Sequence, residues 1–281
     1  LRAQSKVCSY YEAKGDEEIV VEFGKRLNPK AFPFENDIDM LNWYIGMDGD
    51  YEGTFEDLRA KTWEYWDWDA TYYKYEKGLL REDGKPGFNT ATGKLELMPL
   101  AYIEWGLDPL PFHTEPPESP VTTPDLYKEY PLILTTGARS YEFFHTEHRQ
   151  LPTMREFHPD PLVQMHPDVA KAYGIKEGDW VWIENQRGRF KQRATITEGI
   201  NPKVISAEHG WWFPEQDPEN LYGVFDSNPN NLTEQGVKGP GGIGSPIKSM
   251  LCKIYKVEEG VNDLISPTEQ VIKLGGFKHG K

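Results

Sequence analysis

From Tyr130 onward the chain is written in short apolar runs separated by turn residues, and that pattern restricts the fold more than any other feature of the sequence. YPLILTTG (130–137) reads as a strand ending at a Thr-Gly turn. Residues 179–184 alternate apolar and polar, Arg187-Gly188 makes a turn, and residues 190–197 read as the returning strand. Residues 204–207 and 247–257 supply two more strands. One brief helix, DVAKAYG, follows His166-Pro167 and is closed by Gly174 at its C-terminus. Short strands at steady intervals with a single short helix predict a small closed β-barrel.

Upstream the character differs. Residues 108–125 run DPLPFHTEPPESPVTTPD, with proline at 109, 111, 116, 117, 120 and 124. Proline removes backbone donors and fixes φ, so this is a stiff, helix-free connector and the natural place for a domain boundary. Before it, Ile19, Val20, Phe23 and Leu27 recur at helical spacing until Asn28-Pro29 stops them. A second helix is expected over 37–44. Thr54, followed three residues later by Asp57, is a candidate N-cap for a third. FNTATGKLELM (88–98) predicts a hairpin turning at Thr92-Gly93, with Leu95 and Leu97 alternating on the way out.

At 281 residues the chain can form one large domain or two modest ones, and nine Trp predict an ordered core. The charge balance, 31 basic against 45 acidic residues, is −14. Such a surface repels nucleic acid and anionic lipid, which excludes nucleic-acid binding, and any anionic ligand must be held by a local cluster of donors. No run approaches the roughly 20 apolar residues of a membrane span, so direct membrane insertion is not expected. The chain opens on Leu1 without a charged-then-apolar signal segment, and the expectation is that it is a piece of a longer protein. Cys8 and Cys252 form no CxxC pair; two distant thiols cannot supply the four an iron–sulfur cluster needs. Cys252, in the strand-like SMLCKIYKV, reads as a buried inert thiol.

Two further patterns carry little chemistry. His145 and His148 in HTEH suggest a metal pair, but no third ligand is near and HExxH is absent. GPGGIG (239–244) fits G-x-G-x-x-G, yet the SPIKSMLCKIYKV run after it reads as a strand rather than the helix of a nicotinamide site. No carboxylate pair stands out for acid–base work, and no catalytic or metal-ligating residue is assigned.

Four segments resemble, in order and spacing, the last domain of the molybdopterin oxidoreductases of the dimethyl sulfoxide reductase family: ILTTGARSYEFFHT, MHPDVAKAYGIKEGDWVWIENQRGRFKQRATITEGINPKVI, AEHGWWFPE with SNPNNLT, and GSPIKSMLCKIYKV. FNTATGKLEL and EGTFEDLRAK are similar to segments that precede that domain. The resemblance implies a mixed α/β and β chain whose C-terminal part is a double-psi β-barrel of the aspartate decarboxylase type, preceded by a helical and irregular segment. It implies three regions: 1–125 as the end of the preceding domain of a catalytic subunit plus the connector, 126–257 as the dinucleotide-binding barrel, and 258–281 as a tail. The implied cofactor is bis-molybdopterin guanine dinucleotide with molybdenum or tungsten. The metal ligand and any iron–sulfur cluster would lie in upstream sequence this chain lacks. The implied partners are the remainder of the catalytic subunit and an iron–sulfur electron-transfer subunit.

That ligand needs backbone donors for a diphosphate, a forked cation, and amides for polar ring edges. Gly137, after Thr136 at a strand end, lets backbone N–H groups approach phosphate; Arg139 can bind oxygens bidentately and Ser140 adds a hydroxyl. An ordinary glycine turn with a surface arginine is the plainer reading of the same loop. The resemblance places His145 and Thr146 near the pterin edge. His209 follows a strand, and of the adjacent Trp211 and Trp212 only one can face inward, so Trp211 reads as cofactor contact or as barrel packing. SNPNNLT offers Asn228, Asn230 and Asn231, with Asn231 favoured by family position, and Lys248 can reach a phosphate as a point charge. Two other classes fit less well: a non-catalytic interaction barrel of the same topology, and a carbohydrate-active module suggested by the Trp and Tyr content.

Overall fold

The computed structural model describes residues 1–48, 51–65, 70–110, 112–138, 140–234, 236 and 248–258. Arg139, the GPGGIG loop and residues 259–281 of the expected tail lie outside them. The chain divides between Lys94 and Leu95 into two compact units.

The described residues of the first unit form three helices, α1 (Asp16–Leu27), α2 (Asp37–Asp48) and α3 (Phe55–Lys61). Three acids in the first turn of α1 and Lys25 and Arg26 in its last complement the helix dipole. Thr54 and Asp57 form a reciprocal capping box at α3, the Thr54 N–H donating to Asp57 Oδ2 at 2.9 Å and the Asp57 N–H to Thr54 Oγ1 at 3.1 Å. The hairpin expected over 88–98 is not formed. A turn closed by Phe88 N–H to Gly93 C=O (2.9 Å) stands there instead, and Leu95 and Leu97 are 68% and 82% exposed. An alternating strand with no sheet to pair with and no core to cover gains nothing from being extended.

The second unit contains α4 (Leu100–Glu104), a helix-free stretch over 112–123, and α5 (Pro124–Glu129), which starts at the last proline of the connector. Six strands follow: β1 (Leu132–Ala138), β2 (Leu162–Met165), β3 (Trp180–Asn185), β4 (Gly188–Ile196), β5 (Val204–Glu208) and β6 (Met250–Lys256). Between them lie α6 (Pro152–Phe157) and α7 (Pro167–Tyr173). The strands close in the order β1-β5-β2-β4-β3-β6, with β6 pairing back onto β1. β1/β5 and β2/β4 are parallel and the other four pairs antiparallel, the interlocked arrangement of a double-psi barrel. The short helix forms as its ends predict: His166 accepts from the Asp168 N–H at 3.1 Å, and Gly174 takes a left-handed φ of 65°.

Alternate residues of each strand fill the interior. Leu134, Val163, Val181, Ile183, Phe190, Ile205 and Ile254 are all but inaccessible, with Ala194 and Ala207 giving the bulkier side chains room. Cys252 joins this core, where burial pushes its thiol up and keeps it inert. A second cluster of Phe143, Trp180, Trp211, Phe213 and Val257 is separate from the barrel core, and the buried Arg149 guanidinium sits over it, 3.9 Å from the Phe143 ring centroid. Among the described residues no helix is long and apolar enough to cross a membrane.

Leu134 is fully buried on β1, which bonds to both neighbours. Leu134→Ala is expected to cost about 2–5 kcal/mol, read as a lower urea midpoint in tryptophan fluorescence.

Candidate functional site: a cleft at the β1 and β5 exits

The site begins with an irregularity in a strand. Along the parallel β1/β5 ladder Thr136 pairs with Ala207, but the next pair is Ala138 with Glu208, so Gly137 is an extra residue on β1. Gly137 has φ 94°, a conformation that L side chains rarely adopt. A Cβ built there would lie 3.6 Å from Lys248 Nζ, so the lysine side chain covers the glycine. Lys248 is exposed and makes no ion pair among the described residues.

β5 ends at Glu208 and delivers His209, Gly210 and Trp211. Glu208 is anchored by His158 Nε2 at 2.9 Å and by the Leu162 N–H at 3.1 Å. His209 Nε2 stands 2.9 Å from His145 Nδ1, so one ring donates and the other accepts. The His145 N–H donates to Glu147 Oε2 at 2.8 Å, and that backbone hydrogen bond holds the Glu147 carboxyl below its usual value. Gly210 (φ 71°) crosses so close that an added Cβ would lie 2.6 Å from the His145 carbonyl oxygen. Trp212 donates its indole N–H to the Thr146 carbonyl at 2.7 Å. Of the two adjacent tryptophans it is therefore Trp211 that turns inward, 1% exposed, its Nε1 buried and without a partner among the described residues.

The opposite wall is the 3-10 turn Pro229–Leu232, capped by Asn228, whose Oδ1 accepts from the Asn230 N–H at 3.0 Å. Its far end is clamped. The Leu232 carbonyl accepts from Asn185 Nδ2 (3.0 Å) and Arg187 Nε (2.5 Å), and Arg187 is forked onto both Glu118 oxygens at 2.5 and 3.0 Å. Burial alone pushes the Glu118 carboxyl up, but the hydrogen bonds and charge of Arg187 outweigh it and hold the group below the usual carboxylate range.

These segments enclose a cleft of about 460 Å³ lined by Thr136, Gly137, His145, Thr146, His209, Gly210, Trp211, Val224, Asn228, Pro229, Asn230 and Lys248, within the roughly 300–1,000 Å³ of small-molecule sites. None of these residues is acidic, in a chain that carries 45 Asp and Glu. The cleft offers hydroxyls, imidazoles, amides and an ammonium, which suits a ligand with negative charge and mixed polar edges.

Among the residues singled out from sequence, Thr136, Gly137, His145, Thr146, His209, Trp211 and Lys248 come together here from four separated segments. Ser140 is not part of the lining. Asn231 does not line it either: its amide donates to the Phe225 and Arg189 carbonyls at 2.7 and 3.2 Å, while Asn228 and Asn230 face the cleft. Arg139 lies outside the described residues. Val224 and Pro229 were not singled out, and apolar lining residues carry no chemical signature that could reveal them.

The fold is a double-psi barrel with a cleft among the loops at one end. Residues 132–251 match the family described as the molybdopterin dinucleotide binding domain. The chain is 36% identical over 225 residues to a dopamine dehydroxylase of Eggerthella lenta, covering 72% of this chain and 21% of that protein. It is 31% identical over 208 residues to the acetylene hydratase of Syntrophotalea acetylenica, covering 73% of this chain and 27% of that one. The solved acetylene hydratase from Pelobacter acetylenicus superposes with a TM-score of 0.69 at 29% identity, covering 88% of this chain and 33% of that structure. The chain carries, over residues 132–251, the molybdopterin dinucleotide-binding domain found in the dimethyl sulfoxide reductase family. It spans a fifth to a quarter of the length of these curated relatives.

Gly210→Ala is expected to spread the two histidine-bearing segments, because the backbone oxygen it meets cannot swing aside. Its cost should exceed that of Gly174→Ala, where nothing lies within 4 Å and the left-handed conformation alone is penalised, at about 1–2 kcal/mol; paired urea titrations give the difference. Because the Glu118 carboxyl is depressed in the folded state, its contribution is complete above the ordinary value of 4.5 and lost as pH falls through the lower folded value. Glu118→Gln should therefore reduce stability at neutral pH and flatten its decline in acid, measured as melting midpoint against pH.

Proposed function

We propose that this cleft holds molybdopterin guanine dinucleotide, and that the chain is the cofactor-closing part of a molybdenum or tungsten oxidoreductase catalytic subunit. One observation carries the reading: a cleft with no acid among its described lining residues, which supply an ammonium, paired imidazoles and two asparagines, in a chain of net charge −14. The relatives are named for a dehydroxylase and a hydratase, so what the shared region serves is a cofactor common to different reactions rather than one substrate.

The residues present fit the group. The glycine bulge at Gly137 leaves space for backbone to approach a diphosphate, with Lys248 beside it as a compensating charge. His145, His209, Asn228 and Asn230 offer donors and acceptors together, as a pterin or guanine edge requires. Arg139, next to the bulge in sequence, supplies the forked cation. Bis-molybdopterin guanine dinucleotide, when bound, supplies molybdenum or tungsten on dithiolene sulfurs for oxygen-atom or hydride-equivalent transfer. This chain's residues bind and orient the dinucleotide, and the apolar cluster around Trp211 keeps water from one side of the cleft. The remainder of the catalytic subunit supplies the metal ligand and any iron–sulfur cluster, and an iron–sulfur subunit is the electron-transfer partner.

In the intact enzyme Lys248→Met and Arg139→Ala are each expected to speed cofactor loss by about ten- to a hundredfold. The measurement is pterin and guanine nucleotide released per protein after dilution. A wild-type enzyme that carries no pterin dinucleotide would overturn the reading.

A further inference from the structure

Gln192 lies on β4 between Phe190 and Ala194 along the inward-facing side of the barrel, and it is 0% exposed. A polar amide among apolar side chains is costly to bury unless its donors and acceptor are satisfied. All of them are. Gln192 Oε1 accepts from the Glu208 N–H at 3.2 Å, and Nε2 donates to the Glu208 carbonyl at 2.8 Å and to Ser227 Oγ at 3.3 Å. The side-chain amide thus acts as one more rung of ladder on the last residue of β5.

The two residues it holds are not arbitrary. Glu208 precedes His209, which opens the imidazole wall of the cleft, and Ser227, itself 0% exposed, precedes Asn228, which opens the asparagine wall. β4 and β5 are not neighbours in the barrel, since β2 lies between them, so no ladder joins them directly, and β2 begins only at Leu162, where the Gln192 amide bridges the gap beyond its end. The adjoining Lys191 N–H donates to the Asp226 carbonyl at 2.9 Å, so β4 pins the approach to the asparagine loop twice in succession. No other described side chain bonds to both Glu208 and Ser227.

We propose that Gln192 is a positioning residue that sets the width of the cofactor cleft, acting through Glu208 and Ser227 without touching the ligand. The proposal rests on the cleft being the dinucleotide site. It predicts that severing the amide leaves the barrel folded while the two walls drift apart, so that cofactor affinity falls more than stability does.

The test uses the intact enzyme with Gln192→Met, which keeps the volume and removes all three hydrogen bonds. Ser227→Ala removes one of them, and the double variant closes the cycle. Ile254→Ala, a cavity in the barrel core on β6, is the control for destabilisation alone. Cofactor loss is followed as pterin and guanine nucleotide released per protein, beside the melting midpoint. Gln192→Met is expected to lose cofactor about tenfold faster, the scale on which residues that orient a binding group usually matter. Ser227→Ala should fall between it and wild type, and the double variant should be no faster than Gln192→Met. Retention by Gln192→Met at the wild-type rate would refute the positioning role while leaving the dinucleotide site intact. So would equal loss from Ile254→Ala, or strictly additive losses in the cycle. A wild-type enzyme devoid of pterin dinucleotide would remove both this proposal and the functional reading beneath it.

Discussion

The two-sided pairing of β1 is the constraint on which the rest of this structure depends. It bonds in parallel to β5 and antiparallel to β6, and so closes the barrel. A parallel pair needs a long crossover, and here the crossover from β1 to β5 contains α6, β2, α7, β3 and β4, so closure is a long-range event that orders most of the unit at once. The same pairing fixes where the chain leaves the sheet. β1 ends in a bulge at Gly137 and β5 delivers His209 beside it, so the cleft is a consequence of register rather than of loop sequence alone. Thr136 and Lys248, 112 positions apart in sequence, meet because β1 and β6 are hydrogen-bonded partners.

The electrostatics follow from how acids are kept away from that place. Carboxylates close to the barrel are spoken for: Glu208 by His158, Asp160 by Arg193 at 2.5 Å, Glu118 by Arg187, and Glu215 by the buried Arg155 at 3.3 Å. Such pairs contribute little net stability once desolvation is counted, but they fix geometry and turn negative charge aside. Lys248, exposed and without an ion pair among the described residues, is left to act outward into the cleft. An acidic exterior and a cleft suited to an anion are therefore compatible, because the potential inside a cleft is set by its own lining more than by distant surface charge screened by salt.

Much of the barrel was legible in sequence because its strands alternate and its turns carry glycine, and because the short helix announces both of its ends at His166 and Gly174. β2 was not, since four residues are too few to show a period, and its place between β5 and β4 is set by partners far along the chain. The hairpin expected over 88–98 failed for the complementary reason: the alternation was there, but nothing stood to receive it. At the site, residues with distinctive chemistry at strand exits could be picked out, including Gly137, His145 and His209. Which asparagine of SNPNNLT faces the cleft could not, because that depends on a 3-10 turn and on Asn231 spending its amide on the Arg189 and Phe225 carbonyls. Gln192 was invisible, for an amide inside a strand reads as an outward-facing residue until the register is known.

Because each wall of the cleft hangs from a different strand, ligand binding and barrel closure are coupled. The parallel β1/β5 pair carries Gly137 and His209, Gln192 carries that order to Ser227, and the Arg187 clamp holds the far end of the same loop. A ligand touching all of these stabilises the closed barrel over any state in which one strand has slipped, by an amount fixed by its concentration relative to its dissociation constant. The converse holds with equal force: whatever loosens closure, even a core residue far from the cleft, lowers the population able to bind and so weakens apparent affinity. This is why side chains that never reach the ligand belong in any physical account of how it is held.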